Sequence, residues 1–167
     1  MRGGDVHPQI QKVVAALAEH GVHGQVRVLP DSVRTAPQAA AALGCEVGAI
    51  ANSLIFDADS APLLILTSGA HRVDTDFICR SHGIVQLRRA DPTFVRRHTG
   101  QGIGGVAPIG HPSRVRTLVD RWLDSYSTVW AAAGHPNAVF STTYTQLLQL
   151  TDGTSTEVEE IPRPDQR

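Results

Sequence analysis

The stretch Gly104-Gly105-Val106-Ala107-Pro108-Ile109-Gly110-His111-Pro112 reads as neither helix nor strand. Glycine weakens both regular structures and proline removes a backbone donor, so this run must be a loop wedged between patterned segments. Adjacent glycines let a main chain pass close to a ligand or adopt positive φ, and Pro108 stiffens the exit. Ordering such a loop costs conformational entropy, and loops of this kind serve to present amide groups. The competing reading is a plain connection whose glycines only permit a turn.

The segments around the loop are short and mixed. His7 to His20 reads as an amphipathic helix, with Ile10, Val13, Val14 and Leu17 on one face and Lys12 on the opposite one. Gly21 and Gly24 end it, and Val26 to Leu29 reads as a strand. Thr35 looks like an N-cap ahead of Pro37 and an alanine run to Leu43, with Gly44 as the stop. The apolar runs 53–56 and 63–66, separated by Asp57-Ala58-Asp59-Ser60-Ala61-Pro62, predict a hairpin of buried strands. Asp74 to His82 suits a helix, Ile84 to Leu87 a strand, and Asp91-Pro92 opens a helix to about His98. Val115, Leu118, Val119, Trp122, Leu123 and Tyr126 fit helical spacing. Val129 to Ala133 and Val139 to Thr142 read as strands around the turn Gly134-His135-Pro136-Asn137, and Thr143 to Leu150 as a closing helix. The expected organisation is one mixed α/β domain over 1–152, with 153–167 a disordered tail, polar, acidic and proline-containing.

Composition narrows the function classes. With 41% hydrophobic and 19% charged residues the chain is an ordinary globular one. No run approaches the roughly 18 apolar residues of a membrane span, and the N-terminal residues Met1 to Asp5 lack a signal-peptide core, so a cytoplasmic protein with no membrane partner is expected. Cys45 and Cys79 stand outside any metal-binding or redox spacing and read as free, partly buried thiols. Eight histidines form no metal signature, so no metal and no cofactor are assigned. A net charge of −1 argues against broad duplex binding while allowing one nucleic-acid end to dock on a local patch.

Three ordered segments resemble one family. Asp31-Ser32-Val33-Arg34-Thr35-Ala36 through Leu43-Gly44, with Ile50-Ala51-Asn52-Ser53-Leu54-Ile55-Phe56, resembles the T-x-x-x-A-A-x-x-L-G and I-x-K-S-L-x-F opening of YbaK/EbsC-like proteins. Gly104 to Gly110 resembles their G-G-V-S-P-F-G loop, and Val129 to Gly134 followed by Thr143 to Thr151 their closing strand, turn and helix. The likeness runs from about Val26 to Asp152. This is the prolyl-tRNA-synthetase-associated editing domain, whose members hydrolyse the ester joining a wrong amino acid to the 3′ end of a tRNA. The resemblance implies a compact α/β domain with a curved mixed sheet around a small acyl pocket. It also implies a strand, not a helix, at Val115 to Asp120. As partners it implies the acceptor end of an aminoacyl-tRNA and, as an option, prolyl-tRNA synthetase.

An ester hydrolase of this kind needs a positioned water, a polarised carbonyl and donors for the tetrahedral oxyanion, which backbone amides can supply. Gly104, Gly105 and Val106 are the natural donors. Asn52, Gly104, Gly105 and His135 are the catalytic candidates, against the plain readings of Asn52 as a strand-start turn cap and His135 as a surface-turn histidine. Ser53, Val106, Ala107, Pro108 and Gly134 are the substrate-binding candidates, and His71, beside Arg72, is a further one that could touch the tRNA end. His111 is a weaker candidate. Arg88, Arg89, Arg96 and Arg97 would grip acceptor-end phosphates, or else form a solvated face. Trp122 and Trp130 read as core. One departure matters: the family's lysine before Ser-Leu is Asn52 here, an amide without charge. Lys12, on the outer face of the first helix, does not obviously replace it. Two functions stay open: a deacylase acting on mischarged tRNA, such as alanyl- or cysteinyl-tRNA for proline, and a module that holds a tRNA end or a synthetase surface without cleaving anything.

Overall fold

The computed structural model of the chain describes residues 7–24 and 26–160. In chain order the elements are α1 (Pro8–Glu19), β1 (Val26–Val28), α2 (Ala36–Leu43), β2 (Ile50–Ala58), β3 (Ala61–Ser68), α3 (Thr75–His82), β4 (Leu87–Arg89), α4 (Pro92–Thr99), β5 (Arg116–Asp120), β6 (Val129–Ala132), β7 (Ala138–Thr142), α5 (Tyr144–Thr151) and β8 (Thr154–Thr156). The strands form one mixed sheet in the order β1-β7-β6-β2-β3-β5-β8, and β4 pairs with β2 outside that path. The pairs β6–β2, β3–β5 and β5–β8 are parallel and the others antiparallel.

Helix starts follow local chemistry. Thr35 and Gln38 form a reciprocal capping box on α2, and Gly44 closes that helix at φ +71°. Asp74 and Asp91 cap α3 and α4 by accepting from the amides of Phe77 and Phe94. The β2–β3 hairpin turns on Asp59 and Ser60, both at positive φ, so the strands run closer to the tip than the apolar runs predict. Asp59 then ties this tip to the amides of Val85 and Gln86 at 3.0 and 2.8 Å.

Strand β3 is the centre of the core. Leu63, Leu64, Ile65 and Leu66 are all fully buried, each side chain removing about 1.5–3 kcal/mol worth of apolar surface from water. Alternation splits them. Leu64 and Leu66 face the larger cluster, with α1, α5 and the buried part of the glycine loop. Leu63 and Ile65 face a second cluster with Ile78 and Ile84. A third, smaller cluster packs α2 over Ile50 and Trp130.

Three sequence expectations change. Residues 115–126 are not a helix: 116–120 is strand β5, as the family resemblance implies, and Arg121–Ser125 is a 3-10 turn. The strand expected over Ile84 to Leu87 is displaced to Leu87–Arg89. The start of the expected tail is ordered, because β8 pairs with β5 and Val158 is buried against α3 residues. Residues 161–167, like Met1 to Val6, lie outside the described residues. No helix is long and apolar enough to cross a membrane among the described residues.

Asp120 joins the ends of β3 and β5. Its fully buried carboxylate accepts from the amides of Ser68 and Trp122, each at 2.9 Å, and from His71 Nδ1 at 2.8 Å. Removing it orphans the buried Ser68 N–H, frees the part-buried Trp122 N–H and leaves the His71 imidazole with only Glu159, 3.6 Å away. Asp120→Ala should therefore lower stability by about 3 kcal/mol in urea unfolding, whereas a loss below ~1 kcal/mol would mean that water replaces the carboxylate.

Candidate active-site cleft

The cleft forms where β2 is left uncovered. One edge of β2 is paired with β3 from Ala51 to Ala58. The other edge meets β6 only at Ile50 and Ala51, and β4 only from Phe56 to Ala58. Between those contacts the strand borders a cavity of ≈ 240 Å³. Its walls are apolar, from Leu29, Val33, Leu54, Trp130 and Val139, and it is edged by Arg34 and Thr35 before α2, by Gly104, and by Pro136.

Unpaired polar groups collect along this gap. The Asn52 amide lies half-buried at the cleft with no partner inside the protein among the described residues. Ser53, whose side chain turns to the opposite face of β2 from that of Asn52, has a buried and unbonded Oγ, as does Thr67, which stands opposite Asn52 on β3. The exposed backbone amide of Gly104 likewise has no internal acceptor among the described residues. Unpaired donors at the edge of an apolar cleft are the groups that a bound polar ligand would meet.

The glycine loop is held from behind by a residue the sequence reading passed over. Gln101, only 2% exposed, accepts from the Ala107 amide at 2.7 Å and donates to Ile109 O at 3.3 Å. Val106, Ala107 and Pro108 are buried behind the loop surface, so of the expected substrate-binding residues there only Gly104 reaches the cleft. Gly105 does not offer a free donor, because its amide bonds to Gly102 O at 3.3 Å. Its role is closeness: a Cβ there would sit 2.5 Å from the carbonyl carbon of His135.

The expected histidines lie elsewhere. The imidazole of His135 stacks 5.0 Å from that of His7, which caps α1, and its Nδ1 accepts from Asn137 N at 3.4 Å; it does not line the cleft. Gly134 turns towards α1, where a Cβ would come 2.9 Å from Gln9 O. His71 is bound to Asp120 and packs 5.5 Å from Trp122, which is 47% exposed and not the core residue expected. Trp130 is half-buried and forms a cleft wall, with the Arg27 guanidinium 5.6 Å above its ring. Arg88 pairs with Asp57, and Arg89 lies over Phe56. Arg96 and Arg97 are exposed on α4, with Arg96 reaching over Gly102.

A second cavity, ≈ 330 Å³, lies on the far side of the loop and is lined by Pro108, His111 and residues of α5. His111 Nε2 donates to Ala107 O at 2.8 Å there. Cys45 and Cys79 are free. Among the described residues no cluster of His, Cys, Asp or Glu could hold a metal ion.

The comparisons with known proteins bear on this cleft. The model of the aminoacyl-tRNA editing domain matches residues 30–150, which span every wall of it but Leu29. The chain belongs to that family, one of aminoacyl-tRNA deacylases. An uncharacterised Bacillus subtilis (strain 168) protein, YwhH, is 30% identical over 120 residues, covering 71% of this chain and 76% of its own. A crystal structure described as a candidate trans-editing enzyme for prolyl tRNA synthetase is 40% identical, with TM-score 0.88 over 93% of this chain and 99% of that one. The structure of the hypothetical protein APE2540 is 26% identical, with TM-score 0.79 over 89% and 99% of the two chains.

Two expected outcomes follow from the geometry. Gly105→Ala should destabilise the fold by about 1–3 kcal/mol, because the new methyl meets main chain, not a side chain that can move. Gly104→Ala opens onto space and carries only the strain of φ +87°, about 1 kcal/mol. Thermal denaturation separates the two, and equal losses would contradict the packing described. The acid limb of stability is also set here. Burial holds the imidazoles of His111 and His82 below the ordinary value, with Arg116 adding to the effect at His82. The unfolded chain then binds protons that the folded one does not, so stability should fall as pH drops below about 6.5 and stay flat just above it.

Proposed function

We propose that the chain is an aminoacyl-tRNA deacylase acting in the cytoplasm as a free-standing trans-editing protein. Its substrate would be tRNA for proline carrying a small wrong amino acid, with the acyl-ribose ester seated against the open edge of β2. The observation that carries this reading is the pair of unpaired donors there: the Asn52 side-chain amide and the Gly104 N–H. Water adds to the ester carbonyl, the oxyanion is met by the free Gly104 amide and the Asn52 Nδ2 donor, and the acyl–oxygen bond then breaks. The leaving ribose oxygen takes up the proton that the water gives up, releasing free amino acid and intact tRNA.

No residue lining the cleft can act as a general base near neutral pH. Proton transfer would pass through solvent or through the neighbouring ribose hydroxyl of the substrate. Arg88, Arg89, Arg96 and Arg97 would contribute, at most, diffuse attraction for the acceptor stem, and prolyl-tRNA synthetase would be a partner that delivers substrate. Asn52 in the place of the family lysine favours a second reading, a module that binds the tRNA end without turnover.

Deacylation of alanyl- and cysteinyl-tRNA for proline, followed across pH, tests the choice. The rate should climb log-linearly with hydroxide and show no plateau from a histidine base. Asn52→Ala should lower kcat/KM by roughly ten- to a hundredfold with little change in stability, and Gly104→Val should lower it about as much. Turnover indifferent to both changes would place the chemistry elsewhere. Absence of turnover with tRNA binding retained would establish the binding module.

A further inference from the structure

Resting on the reading of the cleft as the acyl-ester site, we propose that Arg34 binds the phosphate of the terminal nucleotide at the cleft mouth. The cation that β2 lacks at Asn52 is thereby supplied from the opposite wall. Of the residues lining the cleft, Arg34 alone carries a charge, and no carboxylate lines it. Four exposed arginines elsewhere, Arg80, Arg88, Arg114 and Arg121, are each paired with an acidic residue, whereas Arg34 has no acidic partner among the described residues. Asp31, three residues upstream, is engaged by Asn137 Nδ2 at 2.9 Å.

The position of Arg34 is fixed although its side chain is free. Gln38 Oε1 accepts from the amides of Arg34 and Thr35 at 2.7 and 3.2 Å, which locks the main chain to the first turn of α2. A guanidinium projecting from a fixed point is a planar fork suited to two phosphate oxygens. The charges of the substrate decide which end it meets. The α-ammonium of an aminoacyl ester would be repelled by Arg34, whereas the phosphodiester on the same nucleotide would be drawn to it. The acyl group is therefore directed inward, to Asn52, and the phosphate outward, to Arg34. In this role Arg34 is a binding residue that sets the direction of entry and leaves the chemical step to the amides.

The test compares two substrates that differ in that phosphate. Wild type, Arg34→Ala and Arg34→Lys are assayed on alanyl-tRNA for proline and on 3′-O-alanyl-adenosine, which has no phosphate. On the tRNA, Arg34→Ala should raise KM about tenfold with kcat within twofold, and Arg34→Lys should recover part of the loss. On alanyl-adenosine the loss should shrink to twofold or less. The salt slope of log kcat/KM on tRNA should become shallower by about 0.7, as for one phosphate contact with a single strand. Equal losses on both substrates would put Arg34 at the ester and overturn the proposal, and so would no loss on either. If wild type cleaves neither substrate, the deacylase reading fails by itself. Arg34 is then judged by binding of uncharged tRNA, where Arg34→Ala must weaken affinity about tenfold or the proposal falls too.

Discussion

Strand β2 is paired along the whole of one edge and only at the two ends of the other, and the cleft is the consequence. An uncovered strand edge exposes main-chain donors and acceptors and is normally shielded or shortened. Here it is ringed instead. The capped start of α2 stands on one side, the glycine loop on another, and the β6–β7 turn closes the third. Each ring member is itself fixed by a close contact. Gly105 lies against the main chain of His135 and Pro136, Gly134 against α1, and Gln101 staples the loop from beneath. These contacts are made by backbone and buried side chains, so the cleft edges keep their positions while the groups facing inward remain unsatisfied.

Leaving those groups unsatisfied is costly. Each buried hydroxyl or amide without a partner costs about 1–3 kcal/mol relative to a bonded one. Ser53 and Thr67 sit beside the run Leu63 to Leu66, where burial is complete on both faces of the sheet. The most strongly buried strand of the molecule thus backs the least satisfied polar cluster. A local deficit of this kind persists only where the surrounding packing over-determines the geometry, and that arrangement is typical of a ligand site.

Much of the fold could be read from local signals. Thr35 before an alanine run, Asp91-Pro92, and Asp74 with Gly83 each mark a helix by chemistry contained within a few residues, and the structure places helices there. The segment 115–126 misleads because a strand followed by a 3-10 turn happens to set apolar residues at helical intervals. Strand β8 is invisible for a different reason. Thr154 to Thr156 carries no apolar alternation, and its place depends on parallel pairing with β5 and on Val158 reaching the core beside Ile78. The cleft lining was legible where a loop or strand motif carried it, since Asn52, Ser53 and Gly104 all border the cavity. It was not legible where partners are distant in sequence. His71 looks like a free functional histidine until Asp120, 49 residues away, is found bonded to it. Arg34 has the opposite history, since nothing local separates it from a solvated arginine until the cleft forms beside it.

The absence of a titratable group on the cleft walls is consistent with ester hydrolysis on energetic grounds. A preorganised oxyanion donor contributes about 10²- to 10³-fold in rate, while a positioned general base contributes about 10²- to 10⁴-fold. The free Gly104 amide and the Asn52 side-chain amide can therefore match a base, provided the ester is already reactive, as an aminoacyl ester with its neighbouring ammonium is. Neutral donors also have a use that a lysine lacks. A cation beside the carbonyl would repel the α-ammonium of every substrate alike, whereas amides act only on the oxygen that gains charge in the transition state. In the proposed binding mode Arg34 would attract the nucleic acid, while Asn52 and Gly104 would stabilise the reacting centre. A chain of net charge −1 can then bind one nucleic-acid end without a broadly basic surface.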